Sequence, residues 1–359
     1  MTEPRVRPQA LADFIARAFV ALDMPQGDAQ RIAALMTEAE LQGSDGHGAI
    51  RLAPYVRRIQ AGGINLRPDI RVVQERAATA LIDGDNAMGH LVMQRAAEMA
   101  IEKARNAGIA WVGSKLSNHA GPASLYARMA LPHDMIGLYF AVGNANHLPP
   151  WGGLTMLLST NPIAVAVPAQ DEPPVVLDMA TTVAAYGKVK AKAQRGEPMP
   201  EGWMIDRQGR PLTDPTRADE GFLLPIGGYK GYGLALIVGL LAGTLNGAAM
   251  GRDVVDFNHD FETTTNTGQA IAMIDLNAFD DPAQFKQRVD ALVRDLRASD
   301  RLPGVDRIWL PGEQSHAKRI ANQRDGITIG PGLRRALDGV AAELGIAPLA
   351  DRPPPKELE

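Results

Sequence analysis

The chain has 359 residues, of which 45% are hydrophobic and 22% charged, a composition typical of a soluble globular protein. Its 37 basic and 41 acidic residues give a net charge of -4, which argues against nucleic acid or a membrane as the main partner. There is no cysteine, which excludes disulfides, thiolate nucleophiles and cysteine-ligated metals. The seven histidines include no pair at a short metal-ligand spacing, so no metal site is predicted.

The first hundred residues are predicted to be mainly helical. Apolar residues recur at helical spacing and the runs end at glycine, which predicts four helices and two short strands. The helices cover 9–23, 25–43, 54–63 and 90–106, and the strands cover 70–73 and 78–82. Asp13 and Arg17 interrupt the first apolar stretch, so it is not a signal peptide, and we expect a cytoplasmic protein.

After Gly108 the sequence becomes rich in β-forming residues. Apolar runs predict strands at 109–112, 135–142, 163–167, 175–177 and 271–275, followed by a helix over about 282–297. The polar, glycine-rich loops between these runs are the usual place for binding chemistry. The charged, proline-rich segment 192–220 is predicted to be an excursion over the surface, and the tail 346–359 to be disordered.

One uncharged stretch, residues 231–251, invites comparison with a membrane span. It contains six glycines as well as Thr244 and Asn246, which suit a lipid-facing helix poorly. Gly239, Gly243 and Gly247 fall four apart and would form a smooth stripe on a helix. We therefore predict a buried helix in the core or at a subunit interface, with the stripe packed against another helix.

The segment Asp45-Gly46-His47-Gly48-Ala49-Ile50-Arg51-Leu52 is the strongest candidate for chemistry. On a helix, positions four apart share a face, and Arg51 would grip a carboxylate beside the titratable imidazole of His47. Pro54 argues for a turn that leads into a helix instead, in which case the spacing guarantees no shared face. A capping histidine and a surface arginine are the alternative on spacing alone.

Several familiar motifs are absent. The chain has no G-x-G-x-x-G after a strand, no P-loop, no H-E-x-x-H and no G-x-S-x-G elbow. These absences argue against an ordinary Rossmann dehydrogenase, a P-loop enzyme and a serine-triad hydrolase.

Three further groups of residues are candidates for binding. Asn118 and His119 precede a predicted helix, whose start suits a phosphate or carboxylate unless these residues merely cap it. Asp178 lies at the end of a predicted strand. Its carboxylate would orient an imidazole, bind a ribose hydroxyl, or cap a helix that starts near Thr182. Lys230 lies among glycines at the start of the uncharged helix, where its charge opposes the helix dipole. It therefore either binds an anionic ligand or is a solvated lysine in a flexible loop.

Taken together, these segments resemble the type-2 malate/L-lactate dehydrogenase family, which includes ureidoglycolate, sulfolactate and piperideine-2-carboxylate enzymes as well as diketogulonate reductase. The resemblance covers about residues 10–345. Its motifs, in order, are Asp45-Gly46-His47-Gly48 with Arg51-Leu52, Ser117-Asn118-His119, Trp151-Gly152-Gly153, Thr160-Asn161-Pro162, Asp178-Met179-Ala180-Thr181, Lys230-Gly231-Tyr232-Gly233-Leu234 and Pro311-Gly312-Glu313.

The resemblance implies an α/β, non-Rossmann, mixed-sheet fold that binds NAD or NADP, usually as a homodimer, with a helical N-terminal part. His47 would donate the proton, although the residue like His119 is the base in some members. Arg51 would hold the substrate carboxylate, Thr160 would touch the substrate, and Asp178 would support His47 or the cofactor. The dinucleotide would bind to His119, Ala120, Gly121, Pro122, Ala123, Asp178, Met179, Ala180, Lys230, Pro311, Gly312, Glu313 and Arg319.

The sequence thus predicts an NAD(P)-dependent oxidoreductase for a small 2-hydroxy, 2-oxo or 2-imino acid. We expect a helical part at 1–108, a cofactor-binding domain at 109–280, and a segment at 281–345 that packs back on both. Gly46 replaces a serine common in the family, and Tyr229 replaces a histidine found in some members. The first replacement suggests one alternative, a catalytically impaired ligand-binding paralogue. A second alternative is a cofactor-independent lyase or racemase that uses the same His and Arg.

Overall fold

The computed structural model describes residues 4–351. Its helices are α1 (Pro8–Val20), α2 (Gln26–Leu41), α3 (Leu52–Gln60), α4 (Gly89–Ala107), α5 (Ser124–Ala127), α6 (Tyr186–Arg195), α7 (Tyr229–Ala242), α8 (Pro282–Ala298), α9 (Glu313–Asp325) and α10 (Pro331–Leu344). Its strands are β1 (Arg5–Val6), β2 (Arg71–Glu75), β3 (Thr79–Ala87), β4 (Ile109–Ser117), β5 (Met135–Ala141), β6 (Ile163–Val167), β7 (Val175–Met179), β8 (Met204–Asp206), β9 (Gly221–Leu223), β10 (Thr267–Asp275) and β11 (Ile327–Thr328).

The largest sheet has seven strands in the order β2-β3-β4-β10-β5-β6-β7. Only the β3–β4 pair is parallel, joined by the crossover helix α4, and every other neighbouring pair is antiparallel. Helix α4 packs on one face and α7 on the other, so the central strand β10 is buried along almost its whole length. This mixed sheet is unlike the parallel sheet of a Rossmann domain.

A second core joins the two ends of the chain. It is formed by α1, α2 and α3 together with α10, and the short strands β1 and β11 pair across it. Residues from α1 and α3, such as Phe14 and Tyr55, are completely buried in this core, and Leu337 and Val340 of α10 pack among them. The C-terminal segment therefore covers the N-terminal helices.

The strands β3 and β4 bend at the same level. Asp85, Asn86 and Leu116 have positive φ, and the β3–β4 register shifts between Asp83 and Ala87. Aspartate and asparagine tolerate this conformation better than other non-glycine residues. The bend changes the direction of the chain just before Asn118 and His119.

Three expectations about organisation need correction or comment. The proposed boundary at residue 108 falls inside one continuous sheet, because β2 and β3 precede it. Segment 192–220 is more than a surface excursion, since β8, β9 and α6 enclose a small core that includes Val189 and Met204. Residues 346–351 of the predicted tail pack against the N-terminal core, where Leu349 is buried, and the rest of the tail lies outside the described residues.

The glycine stripe does not run along a single helix. Helix α7 ends at Ala242, and Gly247 lies in a left-handed turn with open space beside it. A Cβ added at Gly239 would meet Met250 and Asn161, and one added at Gly243 would meet Val142 and the Ala249 backbone. The prediction of packing against another helix is therefore wrong within the described chain, where loops and a strand end cover the stripe. No helix in residues 4–351 has the length and apolarity needed to cross a bilayer.

Candidate active site

His47 and Arg51 lie on a turn and the short helical segment that follows it. Residues 45–47 form the turn, Ala49–Arg51 form a single 3-10 turn, and α3 begins only at Leu52. The Arg51 Nε atom donates to the Gly46 carbonyl at 2.8 Å, which ties the arginine back to the turn. The helical interpretation of this motif is wrong and the turn interpretation, suggested by Pro54, is correct.

A buried carboxyl group lies beneath this turn. Glu40 on α2 is 4% exposed and accepts the Ala49 backbone N–H at 2.6 Å. A Cβ at Gly48 would overlap its carboxyl group, so glycine is required there by space. Burial raises the pKa of Glu40 to about 7, the Ala49 N–H opposes this rise, and the charge of Asp45 adds to it. Sequence periodicity gave no sign of this residue, because a glutamate inside an amphipathic helix is usually exposed.

The structure brings His47 and His119 together from distant parts of the chain. Nδ1 of His47 lies 3.2 Å from Nε2 of His119, and the two rings stack with centroids 5.3 Å apart. Nδ1 of His119 lies 2.5 Å from the hydroxyl of Tyr55, a fully buried side chain on α3. It also accepts the Gly121 N–H at 3.3 Å. Tyr55 was not singled out from sequence, although it lies one helical turn after Arg51.

These contacts assign the tautomers of both rings. A backbone N–H can only donate, so Nδ1 of His119 is an acceptor and its proton lies on Nε2. His119 then donates to Nδ1 of His47, which leaves the His47 proton on Nε2. No group among the described residues hydrogen-bonds His47 Nε2, whereas both nitrogens of His119 are engaged. His47 is therefore the member of the pair with a free N–H.

Both imidazoles are neutral at physiological pH. Burial lowers the pKa of His47 to about 4, and the charge of Arg51 lowers it further. Burial also holds the pKa of His119 well below its usual value, with contributions from Arg51, His47 and His90. His90, completely buried with its ring perpendicular to Tyr55, has a pKa near 3, chiefly from burial. A positive charge on any of these three imidazoles must therefore be compensated by a bound anion.

Asn118 anchors the loop that presents His119. Its side chain is completely buried, donates to Asn86 and Ala87, and accepts the Thr265 hydroxyl at 2.7 Å. A Cβ at Gly89 would lie 2.0 Å from the Asn118 carbonyl oxygen, so the start of α4 also depends on glycine. Asn118 thus fixes the backbone before His119 and does not cap a helix.

Asp178, at the end of β7, caps a helix different from the one expected. Its carboxylate accepts the Ser124 N–H at 2.9 Å, at the start of α5, whereas no helix begins at Thr182. No hydrogen bond joins it to His47 or His119 within residues 4–351. Although the residue keeps solvent exposure, desolvation by the surrounding protein raises the pKa of its carboxyl, and the hydrogen bonds from Ser124 oppose this rise. Asp178 therefore lies beside the 119–123 loop, which carries one imidazole of the pair.

The segment 311–319 lies next to β7. The Val176 N–H donates to the Pro311 carbonyl at 3.0 Å, and Gly312 has a left-handed φ of 83° against Val176. Glu313 turns inward, where it accepts the Leu310 N–H and pairs with Arg297 and Arg307. Its carboxylate is therefore engaged within the protein.

A basic group of three side chains lies on the α5 and α9 side. Burial lowers the pKa of His316, and the charges of Arg128 and Arg319 lower it further. Arg319 pairs with Glu38 at 2.6 Å, while Nδ1 of His316 is buried without a hydrogen bond among the described residues. His316 lies inside the segment 311–319 that the resemblance assigned to the dinucleotide, whereas Arg128 was missed from sequence, because only folding brings the residue after α5 to α9.

The remaining predicted residues lie around the end of β7. The Thr160 carbonyl accepts both the N–H and the hydroxyl of Thr181, and the Ile226 N–H donates to the Thr181 carbonyl. The start of α7 therefore lies close to Met179 and Ala180, but Lys230 is exposed and has no polar contact in the described chain. Residues 4–351 contain no cluster of three or more side chains suited to a metal ion.

Comparisons with known proteins agree with this geometry. Residues 6–338 match the family model described as malate/L-lactate dehydrogenase. The chain is 36% identical to the malate dehydrogenase of Pyrococcus horikoshii, with 95% of this chain and 96% of the relative covered. It is 31% identical to a protein named ureidoglycolate dehydrogenase (NAD(+)) from Escherichia coli, with 90% and 92% covered. The solved sulfolactate dehydrogenase of Methanocaldococcus jannaschii superposes with a TM-score of 0.88 at 34% identity, covering 95% and 98%.

The chain therefore belongs to the malate/L-lactate dehydrogenase family. It has the family's non-Rossmann α/β fold, and it is an oxidoreductase of the dehydrogenase class. These findings confirm the predicted family, fold class, enzyme class and use of a nicotinamide cofactor.

Proposed function

We propose that this enzyme transfers a hydride between NAD or NADP and C2 of a small 2-hydroxy/2-oxo or 2-imino acid, with His47 as the acid/base. The main support is the chain from Tyr55 to His119 to His47, which ends at a free N–H beside Arg51. Such a chain suits a reaction in which a proton accompanies the hydride.

Arg51 is the group proposed to hold the substrate carboxylate. Only its Nε is bonded within the described chain, to Gly46, so the two terminal nitrogens remain available as a planar pair of donors. A guanidinium binds a carboxylate through two parallel hydrogen bonds, which fixes orientation as well as position. The substrate C2 would thereby be placed next to His47.

Proton transfer follows from the tautomers. In reduction, His47 Nε2 gives its proton to the substrate oxygen or nitrogen as the hydride reaches C2, and a proton from solvent replaces it. Oxidation is the reverse: His47 with Nε2 unprotonated takes the proton of the substrate hydroxyl and releases it to solvent. His119 and Tyr55 hold the His47 ring in position through the hydrogen bond to Nδ1.

Substrate binding also changes the acidity of this chain. The charge of Arg51 lowers the pKa values of both His47 and His119. A bound carboxylate neutralises that charge, so the pKa of each imidazole rises when an acid is bound. We therefore propose that a substrate without a carboxylate fails in the proton step as well as in binding.

The chain's residues fit a dinucleotide. The buried, unbonded Nδ1 of His316, with Arg128 and Arg319 close by, provides donors and positive charge for phosphates. The loop 119–123, Asp178 and the 311–312 segment adjoin this group and would hold the rest of the molecule. The cofactor, when bound, supplies or accepts the hydride, while the residues described here orient the substrate and handle the proton.

We also propose that the enzyme is a cytoplasmic homodimer that pairs through α7. Residues 231–251 contain no charge, and Ile237, Leu240 and Leu245 are 52%, 39% and 63% exposed. A contiguous uncharged face of this kind is typical of a subunit interface. Light scattering after size-exclusion chromatography measures the mass in solution, and a monomer would contradict this part of the proposal.

A cofactor and substrate screen tests the proposed reaction. NADH and NADPH oxidation is followed spectrophotometrically with a panel of 2-oxo acids, with and without amines, and with the amide of each acid as control. Arg51→Lys should lower kcat/KM for the acids about 10- to 150-fold, because one charge-assisted hydrogen bond is lost. Absence of saturable cofactor binding would contradict the dehydrogenase function. Cofactor binding without turnover would instead indicate the impaired paralogue, and turnover without cofactor a lyase or racemase.

A further inference from the structure

The loop 254–266, which leads into β10, lies against the contact between Tyr55 and His119. It contains no helix or strand, and His259 and Glu262 on it are exposed to solvent. Phe257, by contrast, is only 3% exposed. Its ring centroid lies 6.0 Å from that of His119 and 5.9 Å from that of Tyr55. The Phe257 ring therefore covers one side of the group that orients His119.

Arg58 of α3 holds this loop in place. Its side chain is completely buried, and its two terminal nitrogens donate to the carbonyls of Asp260 and Thr263. The guanidinium carbon lies 5.2 Å from the centroid of the Phe257 ring. A Cβ at Gly63 would meet the backbone of the same loop and the Arg58 side chain, so the loop approaches the end of α3 too closely for a larger residue there.

The charge of Arg58 is bonded to backbone groups and not to a carboxylate. The Asp260 carboxylate accepts the N–H groups of Glu262 and Thr263 instead, and Arg58 Nε is buried without a hydrogen bond within residues 4–351. Burial of a guanidinium in such surroundings costs free energy that an apolar side chain of similar volume would not. What the fork of donors provides in return is a fixed position for two carbonyls and a ring.

The loop is also anchored on both sides of this contact. The Phe257 N–H donates to the Asn144 carbonyl at 2.9 Å. The Thr265 hydroxyl donates at 2.7 Å to the side chain of Asn118, the residue that precedes His119. Arg58 therefore fixes the part of the loop that lies between these two anchors.

We propose that Arg58 is a positioning residue for the acid/base pair: by holding the loop 254–266, it keeps the Phe257 ring against His119 and Tyr55 and excludes water from them. The kinetic consequence of this role rests on the proposed function, whereas the exclusion of water does not depend on turnover. Water that entered beside His119 would compete for the hydrogen bond that it shares with His47 and would displace the acid/base.

Exclusion of water can be measured through the acidity of the His119 imidazole. Burial is the main cause of its low pKa, so entry of water raises that pKa. The charged or titratable groups around the imidazole pair and on the loop are Arg51, Tyr55, His90, Glu40, Asp256 and Asp260. Substitution of Phe257 removes none of these groups.

NMR titration of the histidine rings tests the proposal in the full-length protein. The His119 signal is assigned by its loss in His119→Ala. Phe257→Ala and Arg58→Met should each raise the pKa of His119 by about 1, towards its ordinary value. The combined variant should raise it no further than Phe257→Ala does, because both substitutions act through the same ring. Arg58→Met should also lower kcat about 10- to 100-fold with little change in cofactor affinity.

Arg57→Met is the matched control for the loss of a positive charge. Arg57 is exposed on the same helix, and its guanidinium carbon lies 3.9 Å from the centroid of the Phe261 ring, away from Phe257. This variant should keep the wild-type titration. A rise as large as that of Arg58→Met would show that charge alone acts on the imidazole, and would overturn the proposal.

Two further results would also overturn it: a wild-type pKa of His119 in Phe257→Ala, or a rise in the combined variant equal to the sum of the separate rises. Arg58→Lys keeps the charge but loses the fork, so it serves if Arg58→Met does not fold. It should show a smaller rise, and a wild-type pKa there would contradict the role of Arg58. If the expected titrations are found in a protein without turnover, the proposed function fails while the role of Arg58 in excluding water stands.

Discussion

Two buried glutamates perform the same structural task under opposite electrostatic conditions. Glu40 and Glu313 are 4% and 7% exposed, and each accepts a backbone N–H beside the start of a helical segment. Glu313 is paired with Arg297 and Arg307, and although burial alone would raise its pKa, the Leu310 N–H and these arginines bring it below the usual value. No cation among residues 4–351 pairs with Glu40, and its pKa rises to about 7.

This difference in the charge environment of the two glutamates distinguishes the two halves of the site. On the proposed cofactor side the charge is fixed and compensated, which suits a ligand whose phosphates are always ionised. On the proposed substrate side burial disfavours the charged forms of the carboxyl and imidazole groups, which suits proton transfer. Three predictions test this contrast, and the first addresses the neutral side.

His47→Ala should lower turnover by roughly 10²–10⁴, the usual effect of removing a positioned proton donor. Cofactor affinity should change little, because the proposed phosphate-binding residues lie on α5 and α9. Steady-state kinetics and nicotinamide fluorescence titration measure the two effects. His119→Ala is the comparison variant, and if it alone lost turnover while His47→Ala stayed active, His119 would be the acid/base.

Glu313→Gln should destabilise the protein at pH 7 by about 1–3 kcal/mol, since it removes a charge that two arginines and a backbone N–H stabilise. A carboxyl with a lowered pKa contributes stability above its unfolded pKa and loses it as the pH falls through the folded value. The loss caused by the substitution should therefore shrink in acid. Urea denaturation at pH 7 and pH 4 measures this, and a loss that grew in acid would contradict the assignment.

Glu40→Gln should have a smaller effect of the opposite sign. Because the folded pKa is raised from 4.5 to about 7, the wild type loses stability as the pH rises across that window, by at most about 3 kcal/mol. Glutamine stays neutral and can still accept the Ala49 N–H. The variant should match the wild type below pH 4.5 and exceed its stability by about 1–2 kcal/mol at pH 8. A variant less stable than the wild type at pH 8 would show that the fold stabilises the Glu40 carboxylate, which contradicts a raised pKa.

The parts of the fold that could be predicted from sequence are those set by local pattern. Helix α4 was predicted at 90–106 and found at Gly89–Ala107, and β6 has the predicted limits. Proline at 54 correctly indicated a turn before α3. Helix α9 received no clear prediction, because its polar sequence offers little amphipathic pattern.

Only part of the candidate site could be predicted from local sequence patterns. Motifs identified His47, Arg51 and His119, but the contact between the two histidines spans 72 residues and no local pattern contains it. One of the interpretations of Asp178 was a cap for a helix near Thr182, whereas its hydrogen-bond partner Ser124 lies 54 residues away. Tyr55 and Glu40 have ordinary places in helical patterns, and only packing between elements gives them their surroundings.

Strand β10 has a consequence for biosynthesis. It pairs with β4 on one side and β5 on the other, although it begins only at Thr267. During translation β4 and β5 emerge long before it, each with an unpaired edge that can associate with other chains. The sheet cannot close until the ribosome has released the chain beyond Asp275, and α10 must follow before the N-terminal core is covered. Nascent chains stalled before this point are therefore the species most in need of chaperones.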